Sequence, residues 1–306
     1  MNIVNDTVKT NFLTENAVVL DIETTGVSRI HNYIQIAGIL TSDKSNNLIQ
    51  WQIDSVEEEK DLLLSLCKQL ENKEIYSFNG LHFDIPFINA RLNHYGLKEI
   101  EISDHHDLYL SLLKNRYYLK HKSYALQSLE LDLNLARFEK FEQKDDQLLY
   151  KDITDPQTAN ILVHNKYDLI NTELLIDYLR KVEKRKIFSL ANEDKENIFK
   201  IKKIALNKNI CSVHLNSSRK MIRARYEDNN YLLDSHKQQI IIKFMVVEGY
   251  IEENQLGYVH TQADQTILKD LSDYQLPKPH LLIYSEKQLE LENIKVLLKK
   301  ILSKYS

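Results

Sequence analysis

Two carboxylates stand at the end of an apolar run near the start of the chain. Residues 17–20 are Ala-Val-Val-Leu, and Asp21 and Glu23 follow them. Side chains at positions i and i+2 of a strand point to the same face, so we expect these two carboxylates to lie side by side. Their charges repel unless a cation neutralises them, and clustered carboxylates are the ligands that Mg²⁺ and Mn²⁺ prefer. The pair alone is equally compatible with a metal site and with a solvated acidic turn.

Two later stretches carry further candidate ligands. In residues 77–86 a short strand ends in an Asn-Gly turn at Asn79, which brings Asp84 to the start of a helix. His164 and Asp168 are four residues apart in a predicted long helix, so they share one helical face. Each of these carboxylates alone is well explained as a turn residue or a surface charge. Their occurrence together on three elements favours a common site.

Four carboxylates with a histidine beside the last fit a two-metal phosphodiester site. Two bound ions would activate a water and stabilise the leaving oxygen of an in-line displacement. In this interpretation Asp21 bridges both ions, and Glu23 and Asp168 complete one coordination shell. Asp84 serves the other ion through water, and His164 orients or deprotonates the attacking water.

The elements that must position these residues follow from the apolar periodicity. Residues 17–184 predict three strands, a helix, a strand, a helix, a strand and further helices, which is an α/β layout with a mixed sheet. We predict a loop with some helix at 138–155. The predicted strands are 17–22, 33–41, 47–54, 74–78 and 100–103, and the predicted helices are 56–71, 86–95, 107–113, 124–133 and 155–184.

The pattern changes after about residue 188, where alternating strand-like segments replace the helices. We therefore predict two domains, an α/β domain at 1–187 and a smaller, mainly antiparallel β (α+β) domain at 188–306. The predicted strands of the second domain are 198–206, 210–215, 220–226, 238–250, 257–261 and 281–284, followed by a helix at 288–305.

Charge is distributed unevenly along the chain, whose net charge is -4. Between residues 180 and 225, Lys and Arg outnumber Asp and Glu by 14 to 4. A basic strand face with aromatic neighbours can hold single-stranded nucleic acid by phosphate contacts and base stacking. A packing or oligomerisation domain is the competing interpretation. The residues predicted for a nucleic-acid face are Lys200, Lys202, Arg223 and Arg225, with Tyr226 adjacent.

Length and composition exclude several classes of protein. A chain of 306 residues is long enough for one large domain or two ordinary ones. It has no run of about 18 apolar residues, and residues 1–15 lack the layout of a signal peptide. Cys67 and Cys211 are too few and too far apart to suggest a disulfide framework. We therefore expect a cytoplasmic protein that does not associate with membranes.

The carboxylate motifs resemble those of the DEDD superfamily of 3′→5′ exonucleases, which have a ribonuclease H-like fold. Residues 18–26 are similar to the first exonuclease motif, and residues 79–86 resemble the second. The YprB-like ribonuclease H-like domain is the most similar subgroup, because its second motif typically reads Asn-Gly followed by Phe-Asp-x-Pro. Its third motif has an Asn beside the His or Tyr, similar to His164, Asn165 and Asp168.

Other matches extend the resemblance over roughly residues 16–182. The subgroup has a His-Asp-Leu segment, similar to residues 106–108, and a Ser-Leu helix segment, similar to residues 128–129. The resemblance implies that Asp107 and its neighbours close a strand and support the main site, rather than form a separate metal site. One departure is that members with a catalytic His usually space it five residues before the last Asp, whereas members with Tyr use four. His164 precedes Asp168 by four residues, as a Tyr would.

The resemblance also implies where substrate binds. Thr24, Thr25 and Gly26 are expected to let the backbone approach the terminal nucleotide closely, and Asn79 is a further substrate-binding candidate. The sequence thus predicts a nuclease that needs two divalent ions, Mg²⁺ or Mn²⁺. We expect a 3′→5′ exonuclease that acts on single-stranded ends of DNA or RNA. A catalytically silent nucleic-acid-binding or scaffold protein and a structure-specific endonuclease are the alternatives.

Overall fold

The computed structural model describes residues 1–102, 104–135, 155–192, 195–228, 230–263 and 266–305. The predicted loop at 138–155 lies outside these residues except for Asp155. The chain divides into two compact units. Unit 1 contains residues 1–114 and 121–180, and unit 2 contains residues 115–120 and 181–306. The predicted division into domains at residue 187 stays a prediction.

Unit 1 is built on a six-stranded mixed sheet in the order β1-β4-β3-β2-β5-β6. The pairs β1–β4, β4–β3 and β3–β2 are antiparallel, whereas the pairs β2–β5 and β5–β6 are parallel. Apolar residues on both faces make β2 and β3 central strands. The strands are β1 (Asn2–Asp6), β2 (Ala17–Thr24), β3 (Ile34–Thr41), β4 (Leu48–Gln52), β5 (Glu74–Ser77) and β6 (His105–Asp107).

Helices pack on this sheet through their apolar faces. In α1 (Glu59–Leu70) the buried residues Leu62, Leu63, Leu66 and Leu70 recur at helical spacing and join the core under β2. On α5 (Pro156–Arg185), Ala159, Leu162 and Val163 cluster with Ile36 of β3. The remaining helices of this part of the chain are α2 (Asp84–His94), α3 (Leu108–Asn115) and α4 (Leu126–Asp132).

Two antiparallel sheets and a helix form unit 2. One sheet has the order β10-β9-β8-β7 and the other has the order β11-β12-β13-β14. The amphipathic helix α6 (Leu291–Leu302) packs its Ile and Leu residues into a hydrophobic core that also contains residues of both sheets. The strands are β7 (Ile187–Asn192), β8 (Lys195–Asn207), β9 (Ile210–Glu227), β10 (Tyr231–Met245), β11 (Val247–Glu252), β12 (Gln255–Thr261), β13 (His280–Ser285) and β14 (Gln288–Leu289).

This architecture confirms the predicted class, an α/β mixed sheet with flanking helices followed by a smaller antiparallel β part. In the described part of the chain, no helix is long and apolar enough to cross a membrane.

Several element boundaries were predicted wrongly. The strand predicted at 100–103 is instead β6 at His105–Asp107, which pairs in parallel with β5. Its His-His-Asp sequence has no apolar alternation, so the pairing partner rather than local propensity decides its conformation. The segments predicted as separate strands at 210–215 and 220–226 are one strand, β9. Edge strand β1, at Asn2–Asp6, was not predicted because its sequence is mostly polar.

Candidate metal centre

Strand β2 positions the first two candidate ligands as its alternation requires. Leu20 and Ile22 are buried in the core, whereas Asp21 and Glu23 point to the opposite face and are half-buried. Asp21 is paired with Gly38 of β3, in the middle of the antiparallel ladder. The two carboxylates therefore stand on one face of a central strand, near the end of that strand.

The start of α2 brings Asp84 to the same place. Asp84 is only 4 % exposed, and its Oδ1 accepts a hydrogen bond from the backbone N–H of Ile22 at 3.1 Å. This bond ties the first turn of α2 directly to the strand between Asp21 and Glu23.

The buried carboxylate of Asp107, at the end of β6, organises the turn that precedes Asp84. Its Oδ1 accepts the N–H of Asn79 and its Oδ2 accepts the N–H of Leu81, each at 3.1 Å. Asn79 has a φ of 65°, a conformation that Asn tolerates better than most residues. Asp107 thus organises the turn that leads to Asp84, and its support of a catalytic site stays a prediction.

Helix α5 supplies the remaining pair. The Nδ1 atom of His164 lies 3.0 Å from Oε1 of Glu23 and 3.6 Å from Oδ2 of Asp168. One potential ligand atom from each of these three residues lies within 4.8 Å of the other two, so they could hold one metal ion. The His164 side chain is 62 % exposed, which leaves the imidazole open to solvent.

In the absence of a cation, the buried carboxylates of this cluster are costly to ionise. Burial raises the pKa of Asp21 well above its usual value, and the charges of Asp168, Asp84 and Glu23 raise it further. Burial also raises the pKa of Asp84 to about 7, against the opposing effect of its backbone hydrogen bonds. The hydrogen bond to Glu23 raises the pKa of His164 to about 9. A cluster that is costly to ionise by itself is one that a divalent cation would stabilise.

Binding of Mn²⁺ or Mg²⁺ is therefore expected to stabilise the folded protein. At a concentration 100 times the dissociation constant, the stabilisation would be about 2.7 kcal/mol, since the ion binds the folded state and not the unfolded state. Differential scanning calorimetry with Mn²⁺ and with chelator measures the shift in Tm. K⁺ at equal ionic strength is the control for general salt effects. Equal Tm values in Mn²⁺ and chelator would contradict a metal site.

A buried amide network fixes the orientation of Asp21. The Nδ2 of Asn165, on α5, donates to Oδ2 of Asp21 at 2.7 Å, and the Nε2 of Gln50, on β4, donates to Oδ1 of Asn165 at 2.8 Å. Both amide side chains are fully buried. A Cβ at Gly38 would lie 2.1 Å from Oδ1 of Asn165, so β3 needs glycine there for Asn165 to approach. The two amides therefore hold one Asp21 oxygen in place.

Sequence reasoning did not assign these three positions to the site. Of the three, Asn165 has a signal in the family resemblance, and the quoted motifs include neither Gln50 nor Gly38. Gln50 is a polar residue in a strand whose other members are largely buried, and such a residue needs a hydrogen-bonding partner. That signal could have identified Gln50, but it could not have named its partner.

Three of the four predicted substrate-binding residues, Thr24, Thr25 and Gly26, form a turn beside Glu23, whereas Asn79 lies in the turn that Asp107 organises. The Oγ1 of Thr24 donates to the carbonyl oxygen of Gly26 at 2.9 Å, and the Oγ1 of Thr25 accepts the N–H of Tyr33 at 3.2 Å. A Cβ at Gly26 would lie 2.8 Å from the Asn32 side chain, which explains the glycine. The hydroxyl groups thus shape the turn, and a contact with substrate stays a prediction.

The consecutive residues His105, His106 and Asp107 do not converge on one ion. The Nε2 of His105 lies 2.7 Å from Ser77 Oγ, whereas the Nε2 of His106 lies 2.9 Å from Oε1 of Glu74. His106 also lies 3.1 Å from Asp104. Together with the role of Asp107 in the turn at residue 79, these contacts give the three side chains separate structural partners.

The structure separates the residues predicted for a basic nucleic-acid face. Lys200 pairs with Asn216 in the β8–β9 ladder, and its Nζ lies 3.0 Å from Glu183. A bulge between Ile201 and Lys203 interrupts the alternation at the exposed Lys202. Arg223 and Arg225 are exposed on the later part of β9, which pairs with β10. The four residues therefore belong to different parts of the sheet, and their contact with nucleic acid stays a prediction.

Comparisons with solved structures and with family models each match part of this chain. Structural comparison found a family B DNA polymerase from the hyperthermophilic archaeon Pyrobaculum calidifontis, with 14 % identity and a TM-score of 0.40. The match covers 53 % of this chain and 24 % of the polymerase. A search of curated proteins found no match. The family model for the RNase H superfamily matches residues 18–180, which is more than half of the sequence, so the chain belongs to the RNase H superfamily.

Proposed function

We propose that the protein is a nuclease that depends on divalent metal ions and hydrolyses phosphodiester bonds as a 3′→5′ exonuclease on single-stranded ends. Membership of the RNase H superfamily supports a nuclease-type fold. The observation that carries the proposal is the convergence of carboxylates from β2, α2 and α5, with the pKa of Asp84 raised to about 7 and that of Asp21 raised as well. Such a cluster is poorly stable without cations and suits two of them.

The donor set fits Mg²⁺ or Mn²⁺ because all four candidate ligands offer hard carboxylate oxygens. Asp21, Glu23, Asp84 and Asp168 would hold the ions, which when bound would activate water and stabilise the leaving oxygen. Asn165 keeps Oδ2 of Asp21 in a fixed position, which orients the carboxylate before any ion arrives.

His164 is assigned to the attacking water. It stands at the exposed rim of the site, and its Nδ1 is held by Glu23 at 3.0 Å. A histidine anchored through one ring nitrogen presents the other toward solvent, where it can orient a water molecule. It can accept a proton from that water only once its pKa, raised to about 9 by the hydrogen bond to Glu23, is lowered, as cations bound to Glu23 and Asp168 would do. The candidate ligands lie behind it, in the less exposed part of the cluster.

The test is a cleavage assay on oligonucleotides labelled at the 5′ end. Single-stranded DNA and RNA of the same sequence are incubated with the protein in Mn²⁺ or in chelator, and the products are separated on a denaturing gel. A ladder that shortens from the 3′ end in Mn²⁺ only is the expected result. A 3′-terminal phosphorothioate linkage should block the first step, and comparison of the two substrates shows whether DNA or RNA is preferred.

Two outcomes would contradict the proposal in different ways. Discrete internal fragments, unaffected by the 3′ block, would indicate an endonuclease on the same site. Intact oligonucleotide with a mobility shift in a native gel would indicate a binding protein without turnover. Each outcome leaves the fold assignment untouched and replaces only the activity.

Replacing His164 with Ala is expected to slow hydrolysis by about 10²- to 10⁴-fold while Mn²⁺ binding persists, since it removes a proton-transfer group and none of the carboxylates. The measurements are single-turnover rate and the Mn²⁺-induced rise in Tm. H94A, at an exposed histidine of α2, is the matched control. H164Y tests the spacing to Asp168, because similar exonucleases use Tyr at this distance. An H164A rate equal to wild type would remove the residue from the mechanism.

A further inference from the structure

Unit 2 contains a cavity that the proposed cleavage site does not use. Its volume is about 420 Å³, within the range of small-molecule sites. Three tyrosines from separate segments line it together with apolar side chains and one lysine. The lining residues used below are Tyr117, Tyr258, Tyr284, Leu206, Leu289 and Lys208.

The tyrosine rings are arranged as adjoining walls. Tyr258 and Tyr284 are cross-strand partners on β12 and β13, with ring centroids 6.0 Å apart and planes inclined at 64°. The centroid of Tyr117 lies 6.5 Å from that of Tyr284, with the planes inclined at 56°. Leu206 and Leu289 are partly buried against the core of unit 2. The cavity thus combines aromatic rings with an apolar base that packs on the core of unit 2.

Positive charge accompanies the rings. Lys208, in the turn after β8, is exposed and contributes to the lining. The Arg116 guanidinium lies 4.8 Å from the centroid of Tyr117, and its Nη2 donates to the Tyr117 hydroxyl at 3.0 Å. A flat aromatic ligand could stack on the rings and place a negative group toward Lys208, whereas the charge of Glu248, which raises the pKa of Tyr258, disfavours a negative group beside that hydroxyl.

We propose that this cavity, the tyrosine pocket, binds a nucleobase together with its adjoining phosphate. Bases of every kind have a π-face that stacks on tyrosine, and a phosphate pairs with lysine. The ligand class rests on the proposed function, because the substrate of a nuclease is a polynucleotide strand and its products are nucleotides. Both contain a base next to a phosphate and could bind in the tyrosine pocket. A strand held here would be retained independently of the carboxylate cluster.

The test measures binding without cleavage. Fluorescein-labelled (dT)₁₂ and (U)₁₂ are titrated with the D84N protein in chelator, and fluorescence anisotropy gives the dissociation constant. Y258A is expected to weaken binding by about 5- to 100-fold, the effect of losing one stacking partner. Y258F keeps the ring and should bind as the parent does. Y250A, at a tyrosine of β11 that is 75 % exposed, is the matched control and should have no effect.

Two further measurements separate ligand binding from a structural effect of Y258A. K208A, at an exposed turn, should weaken binding and reduce the slope of log affinity against log salt by about one. A (dT)₁₂ analogue with abasic sites should bind the parent weakly and be indifferent to Y258A, because it has no bases to stack. Calorimetry of each variant reports whether unit 2 stays folded.

Competition by UMP and AMP identifies the source of the ligand. If either displaces the oligonucleotide from the parent and not from Y258A, the pocket accepts free nucleotides. If neither competes, while Y258A and K208A both weaken oligonucleotide binding, the pocket holds a strand. Unchanged oligonucleotide and mononucleotide binding in folded Y258A and K208A proteins would overturn the inference. Because cleavage is assayed separately on the wild type, failure of the nuclease proposal is distinguishable from failure of the pocket.

Discussion

Replacing Asp84 with Asn should abolish hydrolysis and at the same time make the metal-free protein more stable. The loss of rate is expected to be about 10²- to 10³-fold, as for removal of a group that stabilises transition-state charge. The carboxylate is 4 % exposed and faces Glu23, so its ionisation opposes folding. An Asn at this position keeps an oxygen that can accept the N–H of Ile22, and it carries no charge.

The sign of the stability effect follows from the direction of the pKa shift. The pKa of Asp84 is raised from 3.8 to about 7 in the folded state, so the neutral acid favours folding. Stability from this group is fully present below pH about 4 and is lost as pH rises through 7. Because the pKa of Asp84 rises from 3.8 to about 7 on folding, its ionisation lowers the free energy of unfolding by up to about 4 kcal/mol at pH 8. D84N should remove this cost and raise Tm by several degrees.

The measurement is Tm in chelator between pH 5 and 8, for wild type and D84N. The difference should be smallest at pH 5, should grow up to about pH 7 and should level off by pH 8. D61N, which removes an exposed carboxylate from α1, is the matched control and should change neither Tm nor activity. Mn²⁺ should stabilise wild type and D61N more than D84N. A D84N protein that is less stable than wild type in chelator at pH 8, or one with wild-type turnover, would contradict this account of Asp84.

Local patterns predicted the elements of the site because each candidate ligand has a local signal. The apolar run before Asp21 predicted β2, and i to i+4 spacing placed His164 and Asp168 on one face of a helix. Asp84 was expected near a helix start, and it begins α2. Local sequence determines such features strongly, since strand alternation and helical periodicity act within a few residues. That the three elements meet at one point was inferred from chemistry and resemblance.

Features that depend on distant partners were missed. β6 is formed by His105–Asp107 because the segment pairs with β5, and its own sequence has no strand signal. Two strands were predicted where β9 is continuous, since polar residues around Ser218 resemble a turn until β10 is paired alongside. Charge alternation from Lys200 onward predicted one basic face, but a bulge at Lys202 and the ion pair with Glu183 alter it. Ladder register and bulges arise from tertiary pairing, which a single strand does not specify.

The second large effect is expected at Asn165, which binds no ion itself. N165A should raise the Mn²⁺ concentration needed for half-maximal activity by about 10- to 100-fold, as is typical when a residue that orients a metal ligand is lost. Its Nδ2 donates to Oδ2 of Asp21 at 2.7 Å, so the truncated variant frees that carboxylate to rotate. The same change leaves the buried amide of Gln50 with one partner fewer and costs about 1–3 kcal/mol of stability.

A matched control separates these two consequences. Asn171 lies on the same helix, is equally buried, and donates to Glu130 at 2.8 Å, which is not one of the four candidate ligands. N171A should therefore lower Tm without changing the Mn²⁺ requirement, whereas N165A should change both. The Mn²⁺ dependence of rate and the Mn²⁺-induced Tm shift are the two readouts. If the two variants lose stability alike and share the wild-type Mn²⁺ requirement, Asn165 has only a structural role.

Gly38 provides an independent route to the same test. Because an added Cβ would meet Oδ1 of Asn165 at 2.1 Å, G38A should displace the amide while leaving Asn165 itself in the sequence. The variant is expected to share the raised Mn²⁺ requirement of N165A, and the double variant should be little worse than either single one, since both changes break one contact. Additive effects on the Mn²⁺ requirement would show that Gly38 and Asn165 act on the site separately. The orientation of Asp21 would then depend on more than the amide network that joins β2, β4 and α5.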